Sequence, residues 1–458
     1  MYSLERVFIP IPLLASGCGL LAGMMLVGVA ADFSPLLTLT ACVGLLVTLA
    51  VFAFPTFGLL LTALVIPMER LGRFTEDSSA YTISLMRIVG VLALGSFLLH
   101  ASIKKWKLNF GTALCLYLAY WCFGLLTICF STDVEGGMRY AGSILGNLLF
   151  FFLVINVVRS WKLAKTAVIV WLLASVLAGV YTMYEWHAGQ DVVETEIGET
   201  AERFTATWQD TSEWQDLGEA RRRAMGPTSH AAVYGINMLM TLPFLAYLLR
   251  VEPHWQMRAV VLLGSAIIGY NLFLTNTRAV ILFIPIVLLF CVLRKLLVIT
   301  PSRAIGVLLL GVALLWVVPE SVYQRALDVS NYRLEQSGTL RIRFDFWRAA
   351  LRIVETHWLI GTGIGNFRTI PQYLNQDVLA GTTSTHNEYI QTLLEVGVPG
   401  WILFFSFVGL LLRRSFYTAT IFRQRGQEEQ YWFMVACQIT MLTVLLVGLQ
   451  VDVFHFPL

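Results

Sequence analysis

The stretch THNEYIQTLLEVGVPGWILFFSFVGLLLRR, residues 385–414, decides how this chain is read. A polar tetrad, Thr385-His386-Asn387-Glu388, runs without a break into an apolar segment that closes on Arg413 and Arg414. A membrane-spanning helix needs about 20 residues, and counting back that far from the arginines sets the hydrocarbon boundary near Leu393. At a rise of ~1.5 Å per residue, His386 then stands ~10 Å above that boundary, at the depth of lipid phosphates. Beyond the histidine, Glu388, Gln391, Thr392 and Glu395 share one helix face and carry a polar stripe toward the membrane, where a cavity is expected.

The rest of the chain has the same character. Of its 458 residues, 57% are hydrophobic and 13% charged, about half the charged share of soluble domains. This predicts an all-α, polytopic transmembrane helical bundle. Apolar runs between charge breaks fall near 8–30, 36–53, 56–68, 82–103, 109–130, 140–158, 166–187, 229–249, 258–275, 279–298, 303–318, 390–412 and 431–451, giving about 12 to 13 spans. Lys104, Lys105, Lys107, Arg159, Lys162, Lys165, Arg250, Arg258, Arg294, Lys295, Arg303, Arg413, Arg414, Arg423 and Arg425 all fall on one side of these spans, which the positive-inside rule makes cytoplasmic. The chain therefore divides into transmembrane helices over 1–187, an outer loop over 188–228, transmembrane helices over 229–318, a long outer loop over 319–389 and closing transmembrane helices over 390–458. A net charge of +3 is too small to suggest a nucleic-acid partner.

The seven cysteines, Cys18, Cys42, Cys115, Cys122, Cys129, Cys291 and Cys437, sit within or beside apolar runs, so neither a disulfide nor a metal site is expected. Cys115, Cys122 and Cys129 share a helix face and read as small packing residues. Ala15-Ser16-Gly17-Cys18 faintly resembles a lipoprotein cleavage box, but the apolar run continues past Cys18 and reads as a first transmembrane helix.

The outer loops hold the candidate chemistry. The first is acidic from Asp191 to Glu202 and closes on Arg221, Arg222 and Arg223. It is either a solvated loop with a charged stem or an anion site, since guanidinium groups bind phosphate oxygens through a planar fork. In the second, Leu340, Phe344, Trp347, Leu351 and Val354 follow a 3.6-residue period, with Arg341, Arg348 and Arg352 along one flank. That pattern suits a helix lying on the membrane surface, with its arginines on lipid phosphates or on a substrate. Arg343 lies on the other flank and is the helix arginine favoured for a site. Gly361-Thr362-Gly363-Ile364-Gly365-Asn366-Phe367 has no strand before it, so it reads as a tight turn or a phosphate-cradling nest rather than a dinucleotide site. Counting back about 20 residues from Arg294 puts Arg278 at the outer mouth of the bundle, as a helix anchor or a charge facing a cavity.

Arg343-x-x-x-Trp347, Gly361-x-Gly363-x-Gly365-Asn366-Phe367, His386-Asn387-Glu388-Tyr389 and Glu395-x-Gly397-x-x-Gly400 together resemble the signature of the bacterial O-antigen ligase and polymerase superfamily, and Asn276-Thr277-Arg278-Ala279 resembles its Ser-Arg element. The resemblance covers about 275–450. It implies an inner-membrane enzyme that takes a glycan from a polyprenyl diphosphate on the periplasmic face, without a cofactor or metal. The acceptor would be the lipid A core for a ligase, another repeat unit for a polymerase, or a protein hydroxyl for related members. It implies His386 and Arg278 as catalytic residues and Arg343, Asn387 and Glu388 as substrate-binding residues, while Arg222, Arg223 and Arg341 join the substrate-binding candidates on their placement in the outer segments. Family members carry a further helix beyond Val451–His455, whereas this sequence stops at Leu458, with its carboxyl terminus expected outside. His455, on the same side, reads as a loop residue.

A transporter of lipid-linked glycans is the rival class, and it would need ionisable residues at mid-membrane depth in several helices. The runs 36–67, 109–130 and 279–293 contain no Asp, Glu, Lys or Arg, and the charges gather at the outer rim.

Overall fold

The structure is a computed structural model and describes residues 35–68, 84–188, 192–193, 204–205, 223–228, 231–298, 338–366 and 385–451. In chain order its helices are α1 (Pro35–Ala53), α2 (Pro55–Val65), α3 (Leu85–Ile103), α4 (Thr112–Ile128), α5 (Val134–Val157), α6 (Trp161–Ala188), α7 (Ala231–Val251), α8 (Trp255–Leu274), α9 (Arg278–Leu293), α10 (Gly338–His357), α11 (Glu388–Gln424) and α12 (Glu428–Val447). A two-residue antiparallel pair, Val192–Val193 with Phe204–Thr205, is the one piece of sheet among the described residues. Seven helices, α3, α5, α6, α7, α8, α11 and α12, are long and apolar enough to cross a membrane, and α1, α2, α4 and α9 are shorter apolar helices. Helices satisfy their own backbone polar groups, which is what a segment in hydrocarbon requires.

Every expected span that falls on described residues is a helix. Those expected near 8–30 and 303–318 lie outside the described residues. Two boundaries differ most. α5 starts at Val134 rather than near 140, because Asp133 caps it by accepting from the Gly136 N–H at 3.0 Å and because Glu135 pairs with Arg139 one turn on. α11 does not close at Arg413 but continues to Gln424.

α7 lies at the centre, apolar all round and buried on nearly every side by α6, α8, α9 and α12. A second group, α4 and α5, packs on α11, while α1, α2 and α3 pack together at the amino-terminal side. Close approaches fall at small residues: a Cβ on Gly58 would lie 2.9 Å from the Ala93 Cβ, and one on Gly235 would lie 2.7 Å from Val280. Cys115, Cys122 and Cys129 are exposed, so they face outward from α4 and are not the packing residues their spacing suggested.

Among the described residues, basic side chains from the loops assigned to the cytoplasmic side lie at one end of the bundle. There Lys165 pairs with Glu429 at 2.5 Å, Arg294 donates to Gln438 at 2.6 Å, and Arg250 stacks over Trp432 at 4.7 Å. The opposite end carries the candidate site.

Candidate functional site opposite the basic end of the bundle

The site is organised by a break in α11. Gly397 has φ +62°, outside the helical range, and Pro399 lacks the N–H that would bond the Glu395 carbonyl. The Val398 N–H turns instead to the Trp358 carbonyl at 2.8 Å, which also frees the Leu394 carbonyl. Both freed carbonyls are taken by the glycine turn that follows α10: the Thr362 N–H reaches Leu394 at 2.9 Å, and the Gly363 N–H reaches Glu395 at 3.0 Å. Ile364 N–H donates to Thr127 Oγ1 at 3.0 Å, and Asn366 bonds Thr132. The N–H donors of Gly361, Thr362, Gly363, Ile364 and Asn366 are therefore taken within the protein, as in a tight turn. The turn joins the end of α4 to the broken helix.

The part of α11 that precedes the break begins where α12 ends. Asn387 caps α11, its side-chain oxygen accepting from Tyr389 N–H at 3.0 Å and Ile390 N–H at 3.1 Å. The last carbonyls of α12, which have no intrahelical donors, are met from α11: Glu388 N–H to Gly448 at 2.8 Å, the Asn387 amide to Leu449 at 3.3 Å, and the Tyr389 hydroxyl to Leu445 at 2.8 Å. The polar stripe is fully inside the protein, with Glu388, Gln391, Thr392 and Glu395 all buried. Thr392 donates to Glu388 at 3.2 Å, and Gln391 donates to Glu395 at 2.7 Å.

His386 sits immediately before this capped start, half-buried, with φ +50°. The preceding residue is held from two sides: Thr385 N–H donates to Gln391 at 3.0 Å, and the Trp347 indole N–H donates to the Thr385 carbonyl at 2.8 Å. This corrects the reading of α10. Its expected single stripe is split, since Phe344 and Leu351 are exposed whereas Trp347 turns toward the protein. The buried face is Phe346, Ala349, Ala350 and Ile353, packed on Leu394 and Ile390 of α11. Apolar periodicity located one edge of a wider face, and the alanines carried the other.

Arg343 is on the protein side of α10, as its flank predicted, and donates to Gln450 just past α12 at 3.3 Å. His386 and Arg343 thus share the corner where α10, α11 and the end of α12 meet. Arg223 is at a second corner of the same end, donating to Thr277 Oγ1 at 3.1 Å, while the next residue bonds through Ala224 N–H to the Leu274 carbonyl at 3.0 Å. Arg278 is the first residue of α9, beside Thr277. Arg222 and the side chains of Arg278 and Arg341 lie outside the described residues. α9 packs against α12, and Val280 and Val451 belong to one apolar core, so both corners flank the carboxyl end of α12. Gln450 and the α12 carbonyls were not anticipated; a polar residue closing an apolar run was the only signal they left in the sequence.

These features define a class: a multi-pass membrane protein whose imidazole, guanidinium and carboxamide groups converge at one end of a helical bundle. Residues 263–405 match the family model described as O-antigen ligase. The match runs from within α8, through Arg278, α10 and His386, to just past the break in α11, and it supports the O-antigen ligase and polymerase superfamily of membrane glycosyltransferases. Such a family implies a lipid-linked glycan donor and a glycan acceptor in general. No curated protein matches the chain.

Proposed function

We propose that this protein transfers a glycan from a polyprenyl diphosphate carrier to an acceptor hydroxyl on the periplasmic face of the bacterial inner membrane, with the lipid A core as acceptor, as an O-antigen ligase does. The supporting observation is the placement of His386, held in a left-handed turn before α11 within the matched segment, at the end of the bundle where Arg343 reaches Gln450. The acceptor oxygen bonds to the anomeric carbon, the bond from that carbon to the diphosphate oxygen breaks, and the acceptor proton passes to His386. Polyprenyl diphosphate leaves. An imidazole titrates near pH ~6.5 when unperturbed, so a neutral, proton-accepting fraction is available at physiological pH. The leaving group is already activated, and the remaining need is to stabilise negative charge on it, which bidentate guanidinium groups supply. That role falls to Arg278, with Arg222, Arg223, Arg341 and Arg343 binding the donor and Asn387 and Glu388 bordering the acceptor. A polymerase or a protein O-oligosaccharyltransferase would use the same chemistry with another acceptor.

Replacing His386 by Ala tests the reading. Transfer should fall by ~10²- to 10⁴-fold, the contribution of a positioned base, while expression and donor binding persist. A purified variant that still transfers glycan within a few-fold of the wild-type rate would remove His386 from the role and make Glu388 the candidate base. Glycan profiling of a strain lacking the protein separates the acceptors: loss of all long chains on lipid A marks a ligase, and single repeats left on the core mark a polymerase.

A further inference from the structure

Four non-glycine residues among those described have positive φ: Lys105, Asn276, Lys295 and His386. The first three directly follow the C-caps of α3, α8 and α9, where a left-handed residue is an ordinary helix ending. His386 is different, because it follows no helix C-cap among the described residues and lies directly before Asn387, the N-cap of α11. A left-handed backbone at a bulky residue persists only where its surroundings over-determine it. The determinants are visible on both sides of Thr385: Trp347 holds its carbonyl, and Gln391 holds its N–H. Thr385 Oγ1 also accepts from the Asn387 N–H at 3.4 Å, so the peptides flanking His386 are tied to each other.

Gln391 can do this only if its amide oxygen faces Thr385, which turns its NH₂ group inward, and a buried amide donor needs an acceptor. Glu395 provides it at 2.7 Å, from a position 1% exposed. A buried carboxylate is a costly way to pack a helix, and an apolar side chain would pack there more readily. We infer that Gln391 and Glu395 are positioning residues for His386: the Glu395 carboxylate fixes the orientation of the Gln391 amide, and the amide fixes the turn that aims the imidazole. The inference rests on reading His386 as the base.

The test is steady-state transfer by the purified full-length protein, with polyprenyl-diphosphate-linked glycan extracted from the producing strain as donor. Glu395→Gln keeps an acceptor oxygen, Glu395→Leu removes it, and the double variant Gln391→Leu/Glu395→Leu removes donor and acceptor together, leaving no unpaired side-chain amide while the Thr385 N–H loses its acceptor. Both leucine variants should lose about 10²-fold in kcat, the scale of a slight misplacement of a reacting group, with donor KM within about twofold, while Glu395→Gln stays within about fivefold of wild type. In a His386→Ala background, Glu395→Leu should cause no further loss, because it acts through the missing imidazole. With His386→Ala lowered to a measurable residual rate, three results would overturn the inference: leucine variants with near-normal kcat, Glu395→Gln as impaired as Glu395→Leu, or a loss from Glu395→Leu that multiplies with that of His386→Ala. If neither leucine variant folds, Glu395→Gln decides, and a loss as deep as that of His386→Ala overturns the inference. An active His386→Ala protein overturns the assignment of the base itself.

Discussion

Gly361 offers a sharp test of how the glycine turn and α11 fit together. It has φ +74°, and a Cβ added there would lie 2.4 Å from the Glu395 carbonyl oxygen, 2.5 Å from that carbonyl carbon and 2.6 Å from the Gly397 nitrogen. All three are backbone atoms, so no side chain can rotate out of the way. Alanine pays about 1–2 kcal/mol for the left-handed conformation. Relieving the contact also moves the turn off α11 and loses the Thr362 and Gly363 hydrogen bonds to the freed carbonyls, each worth about 1 kcal/mol. The sum, about 3–4 kcal/mol, is a large share of a typical stability of about 5–15 kcal/mol. Gly90→Ala in α3 is the control, since nothing lies within 4 Å of its Cβ and alanine is the better helix former by about 1 kcal/mol. Thermal unfolding of both variants in one detergent should show the Gly361→Ala midpoint lower by about 5 °C or more, with Gly90→Ala unchanged or raised. Equal midpoints for Gly361→Ala and wild type would refute the close packing of the turn on the break.

Arg278→Lys keeps the charge but loses the bidentate fork, so turnover should drop by about 10²-fold or more; normal turnover would reduce Arg278 to a helix anchor. Cysteines placed at Gln209 and Gln376, in a background with the exposed Cys129 replaced, should react with an impermeant thiol reagent in intact cells, because the basic loops alternate with these two segments. Labelling only after lysis would invert the topology.

Much of this architecture was legible because charge and apolar length are local signals. Arg250, Arg294 and Asn276 each lie within a few residues of a helix end, and the turn at 361–366 declared itself by its glycines. The break in α11 was legible in principle, since Gly397 and Pro399 are both in view, yet the segment reads as one apolar run. What the sequence could not supply is the partner of that break, because the contact joins residues some thirty positions apart. Shared-face patterns fail in a different way: the spacing of Cys115, Cys122 and Cys129 says that they look in one direction, but not which direction that is. For Trp347, counting it as apolar surface overlooked the indole N–H, and that single donor turned the ring toward Thr385.

The interruption at Gly397 also bears on how the protein lives in a fluctuating bilayer. The segment from Val398 to Gln424 is a rod that must follow the thickness and tilt of the surrounding lipid. An unbroken helix would pass each change of tilt to its tip, and His386 would swing with it. Here the backbone ladder is severed at one residue, and the upper segment answers instead to the glycine turn, α10 and the end of α12. On the proposed function, such a joint would absorb lipid-driven motion of the anchor below His386 and leave its alignment to the glycine turn, α10 and the end of α12.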